Sequence, residues 1–250
     1  MKKLLLLVFP LIGFSTAWGE ISIQNDQQFF GDDGTLHIVG EIQNNLNAPI
    51  NQIEIHATIF SGGILVDTIK TPPMLNIIMP EMKNPFDIII SNDFSSKIDE
   101  YSLNVSYEIT DPKSQVIDIT KSDFTRDKFD NLMITGTIAN KGEITANTVI
   151  VVATLYDKTG NVAGVSKTYV EPDYLRANDE SFFFISIPDK IPSNSIIDYS
   201  LAAESEEYVA VPEFPIGSTV LLTLSVLAYV ILTRFPSKSI ANLVSAINLK

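Results

Sequence analysis

Between residues 20 and 211 apolar and polar side chains alternate with a period of two over most of the chain. Leu36, Ile38, Gly40 and Ile42 alternate with His37, Val39 and Glu41, and Ile53, Ile55, Ala57 and Ile59 alternate with Glu54, His56, Thr58 and Phe60. Successive side chains of a strand point to opposite faces, so this alternation predicts strands with one face on a core. β-Branched residues dominate these runs and suit a pleated surface. Turn-forming residues separate them at 44–49, 61–63, 111–114, 141–142, 157–161 and 188–194. No stretch of this region keeps a helical period. Many short strands at this spacing predict an all-β chain of antiparallel β-sandwiches.

The pattern occurs twice. Shifted by 96 positions, residues 36–45 fall on 132–141, 52–60 on 148–156 and 85–91 on 181–187. Identical pairs include Gly40/Gly136, Asn44/Asn140, Ala57/Ala153, Thr58/Thr154 and Phe86/Phe182. A period this long means two copies of a domain rather than a solenoid. Domain one is expected at 20–122 and domain two at 123–211, joined by the short polar run 120–130 that would hold them end to end with limited bending. The central glycines are expected to admit a large neighbour packed across the sheet or to mark a bulge.

The two ends follow a different pattern. Lys2 and Lys3 precede an apolar run at 4–14 and small residues at 15–19, the layout of a secretory signal peptide over 1–19. Near the other end, residues 216–233 carry no charge; eighteen residues make a helix of about 27 Å, close to the roughly 30 Å hydrocarbon core of a bilayer. Arg234 and Lys238 follow this block while Glu204, Glu206, Glu207 and Glu213 precede it, so basic residues mark the inner side. A single transmembrane helix with residues 20–211 outside the cell is the expected arrangement. In the tail, 234–250, Ile240, Leu243, Val244 and Ile247 have the spacing of a short amphipathic helix.

Two resemblances rest on these residues. Each copy resembles the FxLYD-type, immunoglobulin-like extracellular domain, in which a strand ending in a Gly-x-Ile-x-Asn run is followed by a turn and an apolar strand ending Ala-Thr-Leu-Tyr-Asp. Domain two carries that ending at Ala153–Asp157, whereas domain one reads Ala-Thr-Ile-Phe-Ser at 57–61. The resemblance implies two tandem immunoglobulin-like antiparallel β-sandwiches. Pro212, Glu213 and Phe214, followed by the apolar span and Arg234, resemble the PEF-type carboxyl-terminal sorting signals of archaeal surface proteins. That resemblance implies handling by an archaeosortase, which cuts near the triplet and transfers the protein to a lipid. Pro215 stands where the PEFG form has glycine, and 16 residues follow Arg234 where such signals end soon after the basic residue.

Charge and chemistry narrow the function classes. Of the 17 basic residues five lie in the two end segments, as does one of the 30 acidic ones, which leaves a formal charge of about −17 on residues 20–211. Such a surface repels nucleic acid and anionic lipid and suits cations, basic partners or a salty medium. There is no cysteine, which removes disulfides, thiolate zinc sites and cysteine nucleophiles. His37 and His56 are the two histidines and are expected on outward strand faces; with no third histidine, a copper or zinc site is not expected. Asp32, Asp33 and Gly34, and likewise Asp157 and Asn161, read as hairpin turns rather than calcium loops. No nucleophile elbow, histidine-based triad or phosphate loop occurs. No catalytic residue and no cofactor are expected, and the chain reads as a non-enzyme.

Two candidate sites remain. Asn104, in Asn104-Val105-Ser106, is the one N-glycosylation acceptor sequon, usable if its strand face is exposed. Ile150, Val152 and Tyr156 lie on the outward face of a domain-two strand where domain one has Glu54, His56 and Phe60. An apolar outward face implies a cover: domain one, a second subunit, a layer protein, or the domain's own interior if the strand is central. The expected function is a non-catalytic, membrane-anchored envelope protein in contact with a surface layer or another envelope protein. The alternatives are an accessory subunit of a transporter or respiratory complex and a cation- or solute-binding module.

Overall fold

The computed structural model describes residues 20–31, 34–91, 98–128, 131–187 and 196–211. The expected signal peptide, sorting motif, membrane span and tail, and Asp32 and Asp33, lie outside the described residues. Among the described residues no helix is long and apolar enough to cross a membrane.

The described secondary structure is all β. The first half comprises β1 (Ile21–Phe30), β2 (Leu36–Asn44), β3 (Ile50–Ser61), β4 (Ile64–Thr71), β5 (Lys83–Ile90) and β6 (Glu100–Ile109). These form two antiparallel three-stranded sheets, β1-β2-β5 and β4-β3-β6. Leu36, Ile38 and Ile42 from one sheet and Ile55, Ala57 and Ile59 from the other close a shared core with Phe86, Ile88 and Ile90. The side chains that point inward are those the period of two selects.

The second half comprises β7 (Ser114–Arg126), β8 (Leu132–Asn140), β9 (Ala146–Asn147), β10 (Ile150–Asp157), β11 (Val162–Tyr169), β12 (Tyr174–Leu175), β13 (Glu180–Ser186), β14 (Ile196–Glu204) and β15 (Tyr208–Ala210). β9 and β12 make a small ribbon, and the rest form one seven-stranded sheet in the order β11-β10-β14-β15-β7-β8-β13. It folds over its own core, with Ile134, Ile138, Phe183 and Ile185 facing Val151, Ala153, Leu155 and Leu201. β15 makes the fold-over continuous: it pairs antiparallel with β14 and parallel with β7.

The repeat extends to side-chain geometry. Asn44 and Asn140 end equivalent strands and are fully buried. The Asn44 amide donates to the carbonyls of Ala48 and Ile78 and its Oδ1 accepts from the Leu46 N–H; the Asn140 amide donates to Ile144 and Leu175 and its Oδ1 accepts from Gly142. Each asparagine thereby satisfies two loops that would otherwise bury unpaired backbone groups. A left-handed residue follows the same logic in both copies: Glu81 (φ 64°) and Asn178 (φ 62°) donate their N–H to the carbonyls of Asn44 and Asn140.

Gly40 pairs with Phe86 across β2 and β5, and Gly136 with Phe183 across β8 and β13. Each phenyl ring lies over its glycine, as expected of close packing across the sheet, and the expected bulge is present too: β1 bulges opposite Gly40 and β7 beside Gly136. The partner in the second copy is Phe183, however, not the identity-matched Phe182, which is 58% exposed. The loops before β13 are one residue longer than those before β5, and in a strand one residue exchanges faces.

The expected domain boundary at 122/123 falls inside β7, which pairs with β8 from Ile117–Asn140 to Arg126–Leu132. The second half therefore starts at Ser114. Residues 120–126 read as a polar tether because this strand shows a largely solvated face, alternately exposed and half-buried.

Candidate interaction surfaces

In β10 odd-numbered residues Val151, Ala153 and Leu155 face the second half's own core, so Ile150, Val152 and Tyr156 face outward. Ile150 (8% exposed) and Val152 (0%) are buried nonetheless. They cluster with Val162 and Val165 of β11 and with Val39 and Leu75 of the first half, flanked by Phe29, Met74 and Tyr156. Of the four covers open at the level of sequence, the first half is the one present. The halves meet face to face rather than end to end: the outer face of β1-β2-β5 and the 72–79 segment lie on the outer face of β10, β11 and β14.

Polar groups lock the junction. The Gln27 amide donates to the Val162 carbonyl at 2.7 Å. Glu41, 1% exposed, accepts from Lys83 Nζ at 2.8 Å, from Asn25 Nδ2 at 3.1 Å and from the Tyr156 hydroxyl. A buried carboxylate needs such partners, and their geometry specifies register more than it adds stability. Burial first, then the neighbouring Glu41 charge, raise the Tyr156 phenol well above its usual range, which keeps it a proton donor. Glu204, on β14, accepts from the Asn76 backbone N–H at 2.8 Å, the Asn76 side-chain amide and the Ile77 N–H. Burial raises the Glu204 carboxyl above its ordinary value, against the pull of those donors and of Lys113.

His37 corrects its expected surface position. It is 1% exposed, stacked on Phe29 with ring centroids 5.0 Å apart, and its Nδ1 donates to the Asp87 carboxylate at 2.8 Å. Its Nε2 lies 2.9 Å from the Thr35 hydroxyl. The cause is the junction: the second half lies over the outward face of β2, so this strand is buried on both faces. Strand periodicity alone cannot signal that, because it distinguishes two faces without saying what lies over either.

The other expected sites among the described residues are exposed or half-buried. His56 is half-buried beside Glu54 (3.0 Å) and Ser106 (3.0 Å). Asn104 is exposed on β6. Asp157 accepts from the hydroxyl and N–H of Thr159 and from the Asn161 N–H, bonds that hold its carboxyl below the usual range and make it a turn cap. Among the described residues no three His, Cys, Asp or Glu side chains gather as a metal site. Pro212, Glu213, Phe214 and Arg234 lie outside the described residues.

No protein-family model matches the chain, and no curated protein sequence matches it. Among solved structures, an exo-chitosanase of Amycolatopsis orientalis is 10% identical, with a TM-score of 0.27 over 76% of this chain and 26% of its own. A red sea bream transglutaminase is 10% identical, with a TM-score of 0.25 over 79% and 31%. A β-glucuronidase from glycoside hydrolase family 2 is 12% identical, with a TM-score of 0.25 over 74% and 24%. The chain thus spans about a quarter to a third of the length of these proteins, and likeness this loose carries no conclusion about activity.

Proposed function

We propose that this chain is a non-catalytic envelope protein of archaeal type, anchored by one membrane helix at 216–233. Two immunoglobulin-like sandwiches project outward and make structural or adhesive contacts with a surface layer or another envelope protein. The observation that carries the reading is the pair of end segments, an export signal at 1–19 and an uncharged block with basic residues behind it at 216–233. The face-to-face junction supports it, because two halves that share an apolar layer transmit load as one unit instead of bending at a tether. The Pro212-Glu213-Phe214 triplet makes the tail a candidate for archaeosortase processing, and Asn104, exposed on β6, is a candidate glycan site.

Protease shaving of intact cells tests the placement. Residues 20–211 should be cut from outside; their survival on intact cells, with cleavage in lysates, overturns the proposal. The accessory-subunit reading loses the docking face that motivated it, since Ile150 and Val152 are spent on the junction.

A further inference from the structure

One strand of the second half's main sheet has no counterpart in the first half. In the second half β15 fills the gap between β14 and the start of β7, with Val209 opposite Glu204 and Ala210 opposite Ile117. The equivalent gap in the first half lies between β6 and the start of β1. Equivalence follows from register: Ile21 opposes Asn44 as Ile117 opposes Asn140, and Leu103 opposes Ala57 as Leu201 opposes Ala153. No described strand pairs with the outer edge of β6. The segment that would return to it is committed elsewhere, since Thr110 donates its N–H to Pro49 and β7 begins at Ser114 and joins the second half.

The unfilled position is a crevice of about 390 Å³, lined by Ile21, Ile23, Leu103, Asn104, Val105 and Tyr107. Ile21, Leu103 and Val105 are half-buried there, packed against the first-half core from its rim, whereas their counterparts Ile117, Leu201 and Ala203 are fully within the second-half core. A free strand edge beside partly exposed apolar side chains is the template on which an extended peptide adds as a further strand.

We infer that the β1–β6 crevice is a strand-acceptor site for an extended segment of another protein, with alternating aliphatic or aromatic side chains and basic residues at its flanks. β15 itself, Tyr-Val-Ala, models the inward pattern. The basic flanks follow from Glu20, Glu100 and Glu108, all exposed along this edge. The same glutamates disfavour a second copy: antiparallel pairing of two β6 strands about Asn104 sets Glu100 opposite Glu108, and like charges opposed across strands repel. The inference rests on the sheet register, the crevice and the charge along this edge, and does not depend on where the chain resides.

The unglycosylated full chain in mild detergent, carrying Ser106→Cys with a fluorophore, is titrated with the peptide Lys-Tyr-Val-Ala-Val-Lys. The native chain has no cysteine, so the label is unique. Saturable binding is expected, weakened about tenfold or more when both valines of the peptide are proline, which cannot pair along an edge. It should be lost in Val105→Lys with the unfolding transition retained; Ile23→Lys serves if Val105→Lys does not fold. Absence of saturation, equal binding of the proline peptide, or a concentration-dependent dimer abolished by Val105→Lys each overturns the inference.

Discussion

A Cβ on Gly136 would sit 2.3 Å from the Lys121 carbonyl oxygen and 2.5 Å from the Phe183 ring. On Gly40 the nearest atoms are the Phe86 ring at 2.7 Å and the Asp26 Cβ at 2.9 Å. A ring tilts more readily than a strand backbone shifts. Gly136→Ala should therefore destabilise the chain by about 1–3 kcal/mol, and Gly40→Ala by less. Urea unfolding of the two variants checks the order, and the reverse ranking would defeat the packing account. At Glu204 burial favours the protonated form, so the folded chain holds this proton more tightly than the unfolded one. Its contribution to stability is full below the unfolded carboxyl's pKa of about 4.3 and falls as pH rises through the raised folded value. Glu204→Gln carries no such proton. Between about pH 4.5 and about pH 7.5 the native thermal midpoint minus that of Glu204→Gln should decline, and a flat or rising difference would refute this linkage.

At the scale of elements, the two copies differ in what their outward faces carry. β3 presents Glu54 and His56, with Lys70 of β4 bridged to Glu54 at 2.8 Å, and stays solvated. β10 presents Ile150, Val152 and Tyr156 and is covered. Val152→Asp places an unpaired carboxylate in that layer and should cost about 3–5 kcal/mol. Because the halves have separate cores, the variant should melt in two steps where the native chain melts in one. A single calorimetric transition at the native temperature would show that the layer does not couple them.

For the whole molecule, the shared junction turns the expected end-to-end pair of domains into one body with an acidic exterior. A formal charge of −13 over the full chain favours solubility and basic partners. Among the described residues, uncovered surfaces of this body include the β1–β6 edge, the outer face of β13, where Phe182 and Phe184 stand exposed, and β4, where Ile64 and Leu65 do. The junction has removed the first apolar face that the pattern singles out from the exterior.

Much of this was legible before folding. Alternation with a period of two sets the inward side chains of Leu36, Ile38 and Ile42, and self-similarity reveals two copies, because strand geometry and duplication are both written locally along the chain. The unusual apolar face at Ile150 and Val152 was legible as a face in need of a cover. Which body covers it, why His37 and Glu41 are interior, where Phe183 replaces Phe182 and why one half lacks a closing strand were decided only in three dimensions. Each depends on surfaces brought together from distant parts of the chain, and a one-residue difference in loop length suffices to exchange the faces of a strand.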